Sequence, residues 1–196
     1  MSHPIQCKCG NLQGHVADPK AANRVTCYCR DCQAFAHFLG GEILDYQGGT
    51  DIVQTLPKNI SFTQGTDALA CMRLTEAGLL RWYTTCCNTP IGNTLPSYKL
   101  SFIGLVHNCL ESSETTLDNS FGTVSTRVNT EHAKGALESK PTDLISTVLR
   151  NMFRVLRARI DGSYKYTPFF SADSGSPVVS PKILSPQEYE DIMHVV

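Results

Sequence analysis

Seven of the chain's nine cysteines fall into three tight clusters: Cys7 with Cys9, Cys27 with Cys29 and Cys32, and Cys86 with Cys87. No other feature constrains the fold as strongly, because thiols one to three residues apart on a turn are placed to share a metal ion and to fix the chain around it. Nine cysteines in 196 residues is an odd count, and their share stays below the roughly 8–10% that marks a short disulfide scaffold. In a cytoplasmic chain such clusters point to metal before disulfides. Cytoplasmic is the expected location: no apolar run approaches the roughly 18 residues of a membrane span, and MSHPIQCKCG lacks the charged and then apolar segments of a signal peptide. With 17 Lys and Arg against 18 Asp and Glu the net charge is −1, which argues against a general nucleic-acid binder. Hydrophobic residues make up 41%, enough for a buried core in one domain or a core with an extension.

The first hundred residues read as short antiparallel strands. Turn signals such as Gly10-Asn11, Asp18-Pro19, Gly40-Gly41 and Gly48-Gly49 interrupt the chain at short intervals, and between such signals lie runs 51–56, 60–63, 68–74 and 79–83. Residues 33–39, after the central cysteines, fit one short helical turn stopped by Gly40. The last third is different. From Pro141-Thr142-Asp143 onward, Leu144, Ile145, Val148, Leu149, Met152, Phe153, Val155, Leu156 and Ile160 recur at three- and four-residue spacing, the signature of an amphipathic helix ended by Asp161-Gly162. Its apolar face is expected to pack on the sheet. Ser185-Pro186-Gln187-Glu188 predicts a second helix with a capping box. The fold expected is mainly β with C-terminal α, divided as residues 1–115, a zinc-binding β domain, and 116–196, an extension built on the long helix.

Zinc takes thiolate or imidazole ligands at tetrahedral angles. Cys7 and Cys9 supply half of such a site, and Cys86 and Cys87 are the obvious second half. Successive strand residues point to opposite faces, so both can reach one ion only if the chain turns there, and Asn88-Thr89-Pro90 suits a turn. Cys27, Cys29 and Cys32 wrap a second ion and leave its fourth position to water or substrate, the mark of a catalytic site, or to a distant Cys71, Cys109 or His37 in a structural one. His37 could also move protons near that ion, although a hydrogen-bonded structural histidine is the simpler account. Arg150, Arg154 and Arg157 form one basic stripe, suited to a carboxylate or phosphate but more simply a solvated helix face.

CKCG at 7–10, CYCRDCQ at 27–33 and RWYTTCCNTPIGN at 81–93 together resemble the glutathione-dependent formaldehyde-activating enzyme family. Members carry C-x-C-G, then C-x-C-x-x-C, then an aromatic residue followed by C-x-x-C-G-T, in this order and at these intervals. The resemblance covers residues 5–110 and implies an Mss4-like zinc β-tent, with antiparallel sheets held by zinc. It implies that Cys7, Cys9 and Cys87 belong to a structural zinc and Cys27, Cys29 and Cys32 to a second, beside which glutathione and formaldehyde combine as S-hydroxymethylglutathione. Carbon–sulfur lyase activity on a small-thiol adduct is thus one expectation; a non-enzymatic zinc-stapled binding or chaperone module is the other. Two zinc ions are expected, with no catalytic or substrate-binding residue assigned and no nucleic acid or membrane as partner. The sequence departs from the family twice: Thr84 stands where the third motif has its first cysteine, and Asn88 where it has glycine. Threonine is a poor zinc ligand, so Cys86 substitutes, or Cys71 or water completes the site. Adjacent ligands at Cys86-Cys87 are expected to distort the backbone there.

Overall fold

The computed structural model describes residues 2–137 and 141–196. It is mainly β with helices, and two sheets form its frame. The smaller has the order β1-β2-β5, built from β1 (Ser2–Gln6), β2 (Gln13–Ala17) and β5 (Ile60–Gln64), all antiparallel. The larger, of eight strands, runs β10-β3-β4-β9-β8-β7-β6-β11. Its centre is antiparallel: β3 (Asn23–Cys27), β4 (Thr50–Thr55), β9 (Ile103–Val106), β8 (Pro90–Thr94), β7 (Leu80–Thr84) and β6 (Leu69–Arg73). The two edges come from the chain beyond residue 115. There β10 (Thr126–Val128) adds parallel to β3, and β11 (Lys182–Ile183) adds parallel to β6. The expectation of purely antiparallel pairing is corrected at these edges, where strands of two and three residues carry too little pattern to read.

Period-two alternation sorts the large sheet into two faces. Along β7, Leu80 and Trp82 enter the main core with Ile5, Leu12, Val16 and Leu105, while Tyr83 joins a second cluster with Ala34 and Phe35 on the other face. The core is closed by Phe169, whose ring lies 5.1 Å from that of Trp82, and the Trp82 indole N–H donates to Thr94 Oγ1 at 2.9 Å. The outer face carries α1 (Arg30–Phe38), a nine-residue helix where the sequence suggested a single turn. Its start is hidden in sequence because the N-cap is Cys29, whose sulfur accepts the Cys32 N–H, and sulfur is outside the usual cap residues. Arg81, fully buried, leaves β7 on this face, bridges to Asp31 at 3.3 Å, and lies 5.5 Å from the Phe35 ring centre, tying the helix to the sheet.

A short α2 (Leu117–Phe121) precedes β10. The long helix α3 (Pro141–Ile160) and the capped α4 (Pro186–Met193), with the reciprocal Ser185–Glu188 bonds of a capping box, form as the pattern predicts. The orientation of α3 does not follow the expectation. Thr147 and Ala158 are buried, whereas eight large apolar side chains from Leu144 to Ile160 remain 41–79% exposed. The reason lies in the sheet. At the end of β3 and β4 its outer face presents Asn23 and Gln54, amides that need partners when covered. Asn151 takes both, accepting from Asn23 at 2.9 Å and donating to Gln54 at 2.7 Å, and Arg150 donates to Asn23 Oδ1 at 2.9 Å. The polar edge of α3 therefore faces inward. Its arginine stripe is correspondingly not a uniform solvated face: Arg154 is half-buried and Arg150 is tied to Asn23, while Arg157 remains exposed.

Candidate metal centres

The first centre gathers Cys7, Cys9, Cys86 and Cys87, whose sulfurs all lie within 4.8 Å of one another. Cys7 and Cys9 sit on the turn between β1 and β2. Cys7 N–H bonds to Leu12 O, Gly10 N–H bonds back to Cys7 O, and Gly10 supplies the left-handed residue, φ 77°, that lets the turn close. Cys86 and Cys87 sit on the turn at residues 85–87, past the end of β7, so strand alternation no longer separates them. Thr84 N–H to Thr89 O at 3.0 Å closes that turn. The sulfur separations are 3.6 Å for Cys7–Cys9, 3.8 Å for Cys7–Cys86, 3.3 Å for Cys9–Cys86 and 3.7 Å for Cys86–Cys87. Four sulfurs about 2.3 Å from one ion define a tetrahedron with edges of about 3.8 Å. The donor set and its spacing fit a tetrahedral metal.

The turn corrects one expectation. Neither Cys86 nor Cys87 has a positive φ; the left-handed residue is Asn88, φ 52°. Asn is the residue type, after glycine, that best tolerates this region, so Asn88 performs the conformational task of a glycine and the strain is moved one step past the paired thiols. Thr84 is buried, with Oγ1 3.4 Å from Cys87 Sγ and accepting from the Thr89 N–H. Burial opposes ionisation of Cys87, but hydrogen bonds with Thr84 and Thr89 prevail and draw its thiol down to about 5. The Leu12 N–H donates to Cys7 Sγ at 3.2 Å, a further orienting bond to a sulfur. Cys71, the alternative fourth ligand, points into the main core and does not join the group.

The second centre gathers Cys27, Cys29 and Cys32. Cys27 ends β3, Cys29 caps α1 and Cys32 lies in the first turn of α1, so a strand end and a helix start are folded onto one point. Cys27 and Cys29 sulfurs are 3.4 Å apart. At the N-terminus of α1 the Cys32 N–H donates to Cys29 Sγ at 3.4 Å, and the positive end of the helix dipole lies beside these sulfurs; the neighbouring Cys27 nevertheless pushes the Cys29 thiol up to about 11. Hydrogen bonds with Cys29, then Cys32, and the Asn129 amide hold Cys27 well below the usual thiol range, while Cys32, hydrogen-bonded to Cys27 and buried, is pushed up. Among the described residues no fourth histidine, cysteine or carboxylate comes within the same mutual reach. Cys109 is buried in the core, with its thiol directed to Ile91 and Val106 carbonyls, and His37 stays outside the group.

Asn129 is the site residue that sequence reasoning missed. It follows β10, has φ 55°, and its amide Nδ2 donates to Cys27 Sγ at 3.4 Å across 102 residues of chain. The only available signal was an Asn at a strand end, which is no signal for a metal site. A cavity of about 640 Å³ opens elsewhere, beside the first centre, with Gln6, Lys8, Cys87, Asn108 and Glu111 in its wall. The cavity thus adjoins the cluster with four sulfurs, and the three-sulfur cluster lies outside its lining.

A family model described as a family of unknown function (DUF6151) matches residues 1–179. The chain is also similar in structure to a Rhodobacter sphaeroides protein solved by crystallography, with 16% sequence identity, 62% of this chain and 96% of that chain covered, and a TM-score of 0.40. No curated protein matches the chain significantly.

Proposed function

The chain belongs to the DUF6151 family, whose function is unknown, and from its two thiol clusters we propose that it is a two-zinc protein whose central, three-thiolate site acts on a small-thiol adduct. One observation carries this reading: the outer group offers four sulfurs and the central group three. On this reading the fold is an Mss4-like β-tent, Cys7, Cys9, Cys86 and Cys87 hold a structural zinc, and Cys27, Cys29 and Cys32 hold a second with one position left for a ligand. Sulfur-only donor sets in tetrahedral spacing favour zinc or iron–sulfur chemistry, and the motif resemblance selects zinc. The bound ion would supply Lewis acidity toward a thiol sulfur or a carbonyl.

The chain's own residues would prepare that position. Asn129 orients Cys27 through its amide, the first turn of α1 turns N–H groups toward Cys29, and Arg81 with Asp31 holds α1 against β7. The reaction implied by the resemblance joins glutathione and formaldehyde: the thiol sulfur bonds to the carbonyl carbon, and the thiol proton ends on the new hydroxyl of S-hydroxymethylglutathione. None of the nine cysteines is paired in a disulfide, which suits the reducing cytoplasm we propose as its location, with a small thiol as the ligand in place of nucleic acid or membrane. The test is exchange of the hydroxymethyl group between glutathione and formaldehyde, followed by NMR with the zinc-loaded protein. Exchange faster than the uncatalysed rate is expected, and lost in Cys29→Ser; a rate equal to the uncatalysed one excludes this substrate pair. A second reading, a zinc-stapled binding or chaperone module, draws on the exposed apolar face of α3. X-ray absorption separates the two: a mean first shell with oxygen or nitrogen beside sulfur supports the open site, and sulfur alone the module.

A further inference from the structure

From the uncovered face of α3 we infer that the chain forms a two-fold dimer in which this helix pairs antiparallel with its copy, the axis passing between Leu149 and Met152. At 100° per residue, Ile145, Met152, Leu156 and Leu149 form the middle of one continuous arc, with Val148 and Phe153 at its sides. These six side chains are 53–65% exposed. With Leu144 and Ile160 the arc holds eight large apolar residues over about 24 Å of helix, at 1.5 Å per residue. Side chains of this size, roughly half exposed, present on the order of 800 Å² of mostly apolar surface. That exceeds the roughly 300–600 Å² of the largest patch on a typical monomer. It is of the same order as the about 800 Å² that each partner brings to a standard stable interface.

A second copy suits this face for three reasons. A two-fold contact needs only one patch, since the same surface serves both partners, and the one charge within the arc, Arg159, is held over the Tyr164 ring near the end of the helix, so the middle of the arc presents no charge pattern that would demand a different protein. Placing the axis between Leu149 and Met152 sets Leu149 against Met152 and Ile145 against Leu156 of the second copy, so apolar residues meet apolar residues at the centre of the contact, and the antiparallel dipoles attract. The third reason concerns lipid. A membrane-surface helix needs several free basic residues beside its apolar face, whereas Arg150 is bound to Asn23, Arg154 is turned inward and Arg159 lies 4.6 Å over the Tyr164 ring, which leaves Arg157 alone, with Asp161 beside it. The apolar arc also contains no tryptophan, the single Trp82 being fully buried.

Sedimentation equilibrium of the full zinc-loaded chain, from about 1 to 100 μM, tests this. The expected mass is twice the 21.5 kDa of one chain. Met152→Glu places a charge in the centre of the contact from both copies and should weaken dimerisation by about 100-fold or more, as should Leu149→Glu. Both positions are exposed in the single chain, so circular dichroism and zinc content should match the parent and report a folded variant. A parent that stays monomeric throughout the range overturns the inference. A dimer that persists in folded Met152→Glu overturns it equally, as does a monomer that co-sediments with phosphatidylglycerol vesicles, which would assign the face to lipid.

Discussion

Replacing Cys86 by serine probes the point at which this chain departs from the sequence pattern it resembles. Cys86 Sγ stands 3.3 Å from Cys9, 3.7 Å from Cys87 and 3.8 Å from Cys7, so it contributes three of the tetrahedron's six edges. Changing a residue that merely orients a ligand costs about 10–100-fold in metal affinity, and removing a ligand should cost at least the upper figure. A 100-fold loss is about 2.7 kcal/mol of metal-linked stability when the metal is in excess of its Kd. For a chain of this length that lowers the melting temperature by about 5–11 °C, at about 2–4 °C per kcal/mol. Thr84→Cys added to the variant should recover much of the loss, because Thr84 Oγ1 already sits 3.4 Å from Cys87 Sγ and a sulfur there restores the C-x-x-C spacing. Metal competition with a chromophoric chelator and thermal melts read both effects. Full retention of outer zinc and an unchanged melting temperature in Cys86→Ser would refute the assignment of Cys86 as a ligand.

Asn88, at φ 52°, should accept glycine without loss, whereas Asn88→Val should lose about 1–2 kcal/mol by urea denaturation; equal stabilities would mean the left-handed turn is not what selects Asn. Burial holds the pKa of His3 below 6.5 against the opposing hydrogen bond to Leu110 O, so the unfolded chain binds the extra proton first. That contribution to stability is complete above about pH 6.5 and is lost as pH falls below it. His3→Gln should flatten this dependence when zinc content is held constant, and a slope unchanged from the parent would assign it to other groups.

The metal centres were legible to the extent that their ligands are local. Cys27, Cys29 and Cys32 span six residues and Cys7 and Cys9 span three, so short-range geometry brings each set together before any tertiary contact is made. Joining Cys86 and Cys87 to Cys7 requires the two sheets to meet, and residue type and number suggested that contact without establishing it. Asn129 was illegible because a single amide carries no periodicity, and its role depends on β10 adding to the edge of β3. The long helix shows the complementary limit. Spacing revealed that α3 has two faces, but which face meets the sheet is decided by Asn23 and Gln54, two amides whose unmet hydrogen bonds outweigh the attraction of an apolar stripe for a surface that is polar at that place. Apolar periodicity therefore located the helix correctly and oriented it wrongly.

The central claim is that the chain carries two separate thiolate-bound zinc ions, one in each cysteine group. Elemental analysis of the purified full chain, supplied with zinc and then exchanged into buffer without free metal, measures it directly. Two zinc ions per chain are expected in the parent and one in Cys29→Ser, with the outer site still filled. Zinc absent from the parent, or a single ion that survives unchanged in Cys29→Ser, would contradict it.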